Sequence, residues 1–409
     1  MADEAQQNLR IIVAACALTF LAGLNTGWSG PLIPKIAQIN NIELGLAGSM
    51  VSITAGGGML MLMLGKIFCE KLGSRNCLRL AAVIIAAGMV SIAMGPNLQF
   101  LALGAFVLGC GTGLNSIAST TSVLMSDTAS SASALNKVNL FFGIGALAGP
   151  QIAWAGLSSP WSYHAVYIFG AAFALVCALV LKIQKPTARY VAPQEAVKSQ
   201  IIGEPVLWLY ALLLYLYVGL EVSAAAWLFA FLQKYCALDL AMASINMTIL
   251  WAGLTGGRMI SVFLCDRYSS SKITFMGILL SASAFCALAL SAHAGVWTLL
   301  MVLLLGLGFG PIFPNILAAA NEHFKPDTTT TSTVVISSGA IGGITVPMLS
   351  NYCFTQIGWQ QGMFVLCGLD FTLLILFFFL VKITANRRTN DDRQQPSIPA
   401  EEPPAGSGI

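Results

Sequence analysis

Twelve long apolar runs, separated by short polar breaks, constrain this chain more than any motif in it. Read between charged residues and Pro-, Asn- or Gly-rich breaks, they cover 11–34, 44–65, 78–95, 99–124, 137–157, 163–182, 206–232, 243–264, 273–293, 296–320, 331–353 and 360–382. A helix needs about 20 apolar residues to cross a bilayer, and in lipid the backbone must satisfy its own hydrogen bonds. Of the 409 residues 57% are apolar and 9% charged, where ordinary soluble domains carry about 25% charged residues. This composition excludes a soluble enzyme, a nucleic-acid-binding domain and a secreted disulfide scaffold. The expected fold class is an all-α membrane protein with twelve transmembrane helices. The first run is too long for the core of a cleavable signal peptide. The ten cysteines lie mostly inside apolar runs without CxxC pairs, so they are expected to be packing residues rather than metal ligands or disulfides.

Charge placement sets the expected orientation, because cytoplasmic loops of membrane proteins are enriched in Lys and Arg. With the first residue inside, seventeen Lys and Arg fall in inside segments, from Arg10, Lys66 and Lys71 to Arg387, Arg388 and Arg393. Only Lys35 and Lys234 fall outside. Both termini are therefore expected in the cytoplasm, with the chain in an inner or plasma membrane. The basic, Pro-containing break before Pro205 splits six spans from six. The expected organisation is a six-helix bundle over 1–182, a cytoplasmic linker over 183–204, a second bundle over 205–384 and a disordered tail over 385–409.

The halves repeat each other. "FCEKLGSRNCL" after span two aligns with "LCDRYSSSKIT" after span eight at an offset of 196, pairing Cys69 with Cys265, Glu70 with Asp266 and Lys71 with Arg267. Gly109, Gly111 and Gly113 of span four match Gly306, Gly308 and Gly310 of span ten, and "FFGIGALAGP" of span five matches "SSGAIGGITVP" of span eleven. Three matches in one order predict two pseudo-symmetric six-helix bundles. Two such parallel halves resemble the major facilitator architecture, which implies a solute site near the membrane midplane between them. The acidic–basic step in the two loops resembles a degraded form of that superfamily's loop motif. The resemblance implies that Glu70, Lys71, Asp266 and Arg267 help gate the cytoplasmic side, where a carboxylate favours a helix N-terminus.

Four stretches narrow the resemblance. "LYVGLEVSAAAW", with Glu221 and Trp227, is similar to the seventh span of the fucose–galactose–glucose permease branch of sugar:proton symporters. "LWAGLTGGRM", with Trp251 and Arg258, is similar to its eighth, "LNKVNLFFGIGALAGP" to its fifth and "GLGFGPIFPNILA" to its tenth. Relatives in that branch often carry acids in spans one and four and a histidine early in span five. Here the corresponding positions hold Asn25, Asn115 and Asn139, and the first half has no carboxylate well inside a span.

Ionisable residues deep in a bilayer are costly and usually functional. Three stand inside spans: Glu221, Arg258 and Asp370. Glu221 lies about 21 Å along span seven from Leu207 at the helical rise, and Arg258 runs back toward it on span eight. They are read either as a proton-coupling pair or as a fixed ion pair, and Asp370 as a packing or hydrogen-bonded residue. A sugar site needs amides, which both donate and accept, beside flat aromatic faces. The candidate substrate-binding residues are Asn25, Trp28, Asn115, Ser119, Asn139 and Gln151 in the first half, and Trp227, Trp251 and Asn315 in the second.

The expected activity is alternating-access transport of a small polar solute, most simply a monosaccharide, with a proton (or sodium) as coupling ion or as a facilitator. The alternatives are a proton-driven drug or metabolite exporter and a transporter-like receptor that binds without moving its ligand. No enzymatic or ATP-binding motif occurs in the spans, so neither catalysis, a cofactor nor a metal is expected. The expected partners are the solute, the coupling ion and membrane lipid rather than nucleic acid, with the protein acting as a monomer.

Overall fold

The computed structural model describes residues 2–126, 131–181, 200–265, 267–292, 295–325 and 327–394. Twelve helices are long and apolar enough to span a membrane: Arg10–Ile39, Leu44–Gly65, Ser74–Met94, Leu98–Ser122, Leu140–Leu157, Ser162–Val180, Pro205–Lys234, Leu240–Cys265, Ser270–Ala289, Trp297–His323, Thr330–Ile357 and Trp359–Thr384. They are called spans one to twelve in that order. Each overlaps the corresponding apolar run, because run length alone decides whether a helix can cross. The end of the bundle where span one begins and span twelve finishes is the near end; the opposite one is the far end.

Buried apolar side chains form two principal cores. One runs from Ile11 to Leu181 and the other from Val206 to Leu380, the latter joined by Ala146. The glycine repeats explain how each half closes. In span four a Cβ at Gly109 or Gly113 would overlap the backbone of span two, at Thr54 and Gly58, while one at Gly111 would meet Ile85 of span three. Span ten repeats the arrangement. Gly306 and Gly310 press on Leu250, Gly257 and Arg258 of span eight, and Gly308 on Gly277 and Ser281 of span nine. Without a hydrophobic driving force between helices in lipid, such backbone approach is what small residues provide.

Two regions depart from the sequence reading. Span ten, read as one helix over 296–320, is two: Trp297–Phe309 and Ile312–His323. Pro311 sits between them, lacking an N–H and crowding the preceding turn. The disordered tail over 385–409 is corrected in part, because the last helix continues to Gln394. Its sequence holds no Pro or Gly between Thr384 and Gln394, and the first helix-ending residue is Pro396. Most of the expected linker and the rest of the tail lie outside the described residues. Residues 200–203 form a short 3₁₀ turn before Pro205 opens span seven, where a missing N–H costs nothing.

Candidate substrate cavity

A cavity of about 630 Å³ lies between the halves, within the roughly 300–1,000 Å³ of small-molecule sites. Its floor is the far end, where the halves touch. There a Cβ at Gly30 of span one would overlap the Ala225 carbonyl of span seven. Asn351 donates to the Gly45 carbonyl at 2.7 Å, Ser52 to the Ile344 carbonyl at 2.9 Å, and the Gln151 amide to the Thr248 hydroxyl at 3.0 Å. Spans one with seven, two with eleven and five with eight thus meet in their far halves. Among the described residues, these contacts close the cavity at the far end.

The two walls differ. The first half contributes Thr19, Asn25, Thr26, Ser29, Thr54, Thr112, Asn115, Ser116, Thr120 and Tyr167 as polar lining. The second contributes Glu221, Trp251 and Arg258 beside Val218, Val222 and Ala225. One wall is therefore neutral and hydroxyl-rich, and the other carries both charges.

Helical periodicity builds the neutral wall. Asn25 and Ser29 project from one stripe of span one, and Thr112, Ser116 and Thr120 from one stripe of span four, because residues four apart share a helix face. The amides are held from behind. The Trp28 indole N–H donates to Asn25 Oδ1 at 3.2 Å, and the Trp28 ring stands edge-on to Tyr167 with centroids 6.1 Å apart. Ser119 donates to Asn115 Oδ1 at 2.8 Å, and Thr19 reaches Ser119 at 3.5 Å. Each amide oxygen is thus oriented by a donor behind the wall.

On the charged wall Glu221 is half-buried and Arg258 exposed to the cavity. One turn before Glu221, the buried Tyr217 phenol donates to the Phe309 carbonyl at 3.0 Å. Phe309 ends the first segment of span ten, and a Cβ at Gly310 would overlap the backbone of Arg258, so both charged residues lie on helices that meet the break at Pro311. The Trp251 indole N–H is buried without a hydrogen-bond partner although its ring lines the cavity.

Of the candidate residues, the fold brings Asn25, Asn115, Glu221, Trp251 and Arg258 together around one space. Trp28 and Ser119 are corrected from wall to support: both are fully buried and bond the wall amides. Gln151 is spent on Thr248 across the seal. Trp227 is packed in the same seal, 1% exposed. Asn315 follows the span-ten break and faces a small crevice with Tyr210, Thr274 and Phe377 instead. The Asn139 side chain and Asp266 lie outside the described residues. Glu70, Lys71 and Arg267 are exposed at the near end. Asp370 is fully buried in span twelve, away from the cavity, with Ser281 of span nine as its polar neighbour. The sequence reading passed over Thr26, Ser29, Thr54, Thr112, Ser116, Thr120 and Tyr167. The four-residue stripe of hydroxyls in span four was the available signal.

Known proteins are similar to this chain in sequence and in fold. The chain is 21% identical to the glucose/mannose transporter of Bacillus subtilis over 92% of its own length and 94% of that protein. It is 26% identical to the class D tetracycline resistance protein of Salmonella ordonez over 84% and 89% of the two chains. Its fold matches a solved D-xylose–proton symporter with a TM-score of 0.76, at 13% identity, covering 91% of this chain and 97% of that one. The sequence profile of the Major Facilitator Superfamily matches residues 15–339; with twelve spans in two repeated halves around a central cavity, the chain belongs to the Major Facilitator Superfamily.

Proposed function

We propose that this protein is a secondary transporter of a monosaccharide-sized polar solute, working by alternating access with the cavity open to the cytoplasm in the conformation described. The observation that carries the reading is the division of the cavity walls. A neutral wall of amides and hydroxyls with a tyrosine beside it suits a polyhydroxylated solute, which offers many donors and acceptors and no charge. Asn25 and Asn115, held by Trp28 and Ser119, bind and orient it, with Trp251 offering a ring face and an unpaired N–H from the other side. Glu221 takes up and releases a proton, with Arg258 on the same wall of the cavity as the other charge. The sugar-transporting relatives support the solute class, and the basic near-end loops support the orientation. Glu70, Lys71, Asp266 and Arg267 then act at the near end when it closes, and the protein does not act as an enzyme.

Uptake of labelled glucose, galactose, mannose and xylose into proteoliposomes, with and without an inward proton gradient, tests this. The expected result is saturable uptake of at least one sugar, driven above equilibrium by the gradient. Uptake that ignores every ion gradient removes the coupling role of Glu221. No uptake of any sugar overturns the solute class.

The 26% identity to a tetracycline resistance protein favours one second reading, proton-driven export of an amphipathic compound. Met50, Met59, Leu62 and Phe142 give the same cavity an apolar share. Loss of resistance to amphipathic antibiotics on deletion, with no sugar uptake, would select it.

A further inference from the structure

Beside backbone contacts and the Gln151 and Asn351 hydrogen bonds, the far-end seal holds a large aromatic side chain. The Trp227 ring of span seven lies against Gly48 of span two, where a Cβ would overlap its six-membered ring. On its other side it stacks on Phe354, centroids 5.8 Å apart and planes 25° from parallel, and Phe354 is packed in turn by Phe231 and Trp359. Gly48 belongs to the first half and the aromatic cluster to the second. The indole therefore crosses the boundary between the halves and fits there only because position 48 has no side chain.

The Trp227 N–H is buried with no hydrogen-bond partner. An indole N–H normally finds one when buried, so this seating combines a large apolar gain with an unmet polar demand. Such a contact holds a state without making it permanent. Spans two and seven must separate at the far end before the cavity can open there, and that separation lifts the ring off Gly48 and frees its N–H.

We infer that Trp227 is the latch of the far-end gate and Gly48 its notch. The ring is seated while the cavity opens at the near end and unseated when it opens at the far end. This assignment rests on alternating access but not on any particular solute.

The test needs no solute. A reporter cysteine, Thr26→Cys, is placed in the cavity of the full chain and labelled with a membrane-impermeant maleimide. Right-side-out and inside-out vesicles expose the far and near ends separately, and the chain without the reporter gives the background from native cysteines. Gly48→Ala is expected to raise the far-end labelling rate at least tenfold and lower the near-end rate, because the added methyl evicts the ring. Trp227→Ala is expected to raise far-end labelling alone, several-fold. In the Trp227→Ala background Gly48→Ala should change the rate less than twofold, since there is no ring left to evict. Unchanged far-end labelling in Trp227→Ala overturns the latch even if Gly48→Ala fails to fold, and so does an undiminished Gly48→Ala effect without the tryptophan. Failure of every sugar in uptake leaves this result standing, and failure here leaves the solute class standing.

Discussion

The two halves share a scaffold and differ in what they present to the cavity. Span four packs on spans two and three through Gly109, Gly111 and Gly113 as span ten packs on spans eight and nine through Gly306, Gly308 and Gly310. On that common frame the first half shows Asn25, Asn115 and a stripe of hydroxyls, and the second shows Glu221 and Arg258. Helix packing depends on backbone approach, which tolerates no Cβ at the crossing points. Cavity-facing positions have no such restriction, so duplicated halves can keep one set of residues and diverge in the other. Under the proposed function, holding a neutral solute and responding to a proton are separate tasks that fall on separate walls.

Substitutions on either half separate the shared scaffold from the divergent cavity walls. The largest effects belong to the shared scaffold. Gly109→Leu and Gly306→Leu place a branched side chain against backbone, and overpacking costs about 1–3 kcal/mol or more. Both are expected to lose the folded protein to a similar extent, read as loss of monodisperse material in size-exclusion chromatography. If only one half collapses, the scaffolds are not equivalent.

Next comes the charged wall. Glu221→Gln keeps the shape and removes the titratable group. It is expected to abolish gradient-driven accumulation while leaving solute exchange within about threefold of the parent, a spread of ~0.6 kcal/mol. Exchange lost together with accumulation would move Glu221 into solute binding and blur the division between the walls.

The neutral wall should respond in affinity rather than in coupling. Asn115→Ala removes hydrogen bonds worth about 0.5–1.5 kcal/mol each, so the expected result is a KM raised about five- to tenfold with accumulation still driven by the gradient. Loss of coupling here would be the failure. The smallest effect is expected from Trp28→Phe, which keeps the ring in the core and removes only the N–H held by Asn25. A rise in KM of about two- to fivefold corresponds to that one bond, and it should vanish when Asn25 is already alanine.

Much of this was legible in the chain itself. Spans follow from run length, since lipid leaves the backbone no option but a helix. The repeat followed from glycines and loop charges at a fixed offset, and the cost of charge in a bilayer singled out Glu221 and Arg258, which both line the cavity. Other features were out of reach. Trp28 and Trp227 look alike in sequence, each an aromatic within a cavity-lining span. Yet Trp28 faces back into its own half to hold Asn25, and Trp227 faces forward across the boundary onto Gly48. Gln151 and Asn115 are both amides in apolar helices, and only one reaches the cavity.

Composition and spacing along the chain therefore set the class of the molecule: twelve helices, two repeated halves and a glycine code for close packing. Those depend on local composition and on spacing along one helix. The tertiary structure decided which end is shut, which polar groups face the cavity, and which of them serve as supports behind it. These depend on how each helix is rotated about its axis and which helix of the other half it meets, and neither quantity is written in any single segment of the chain.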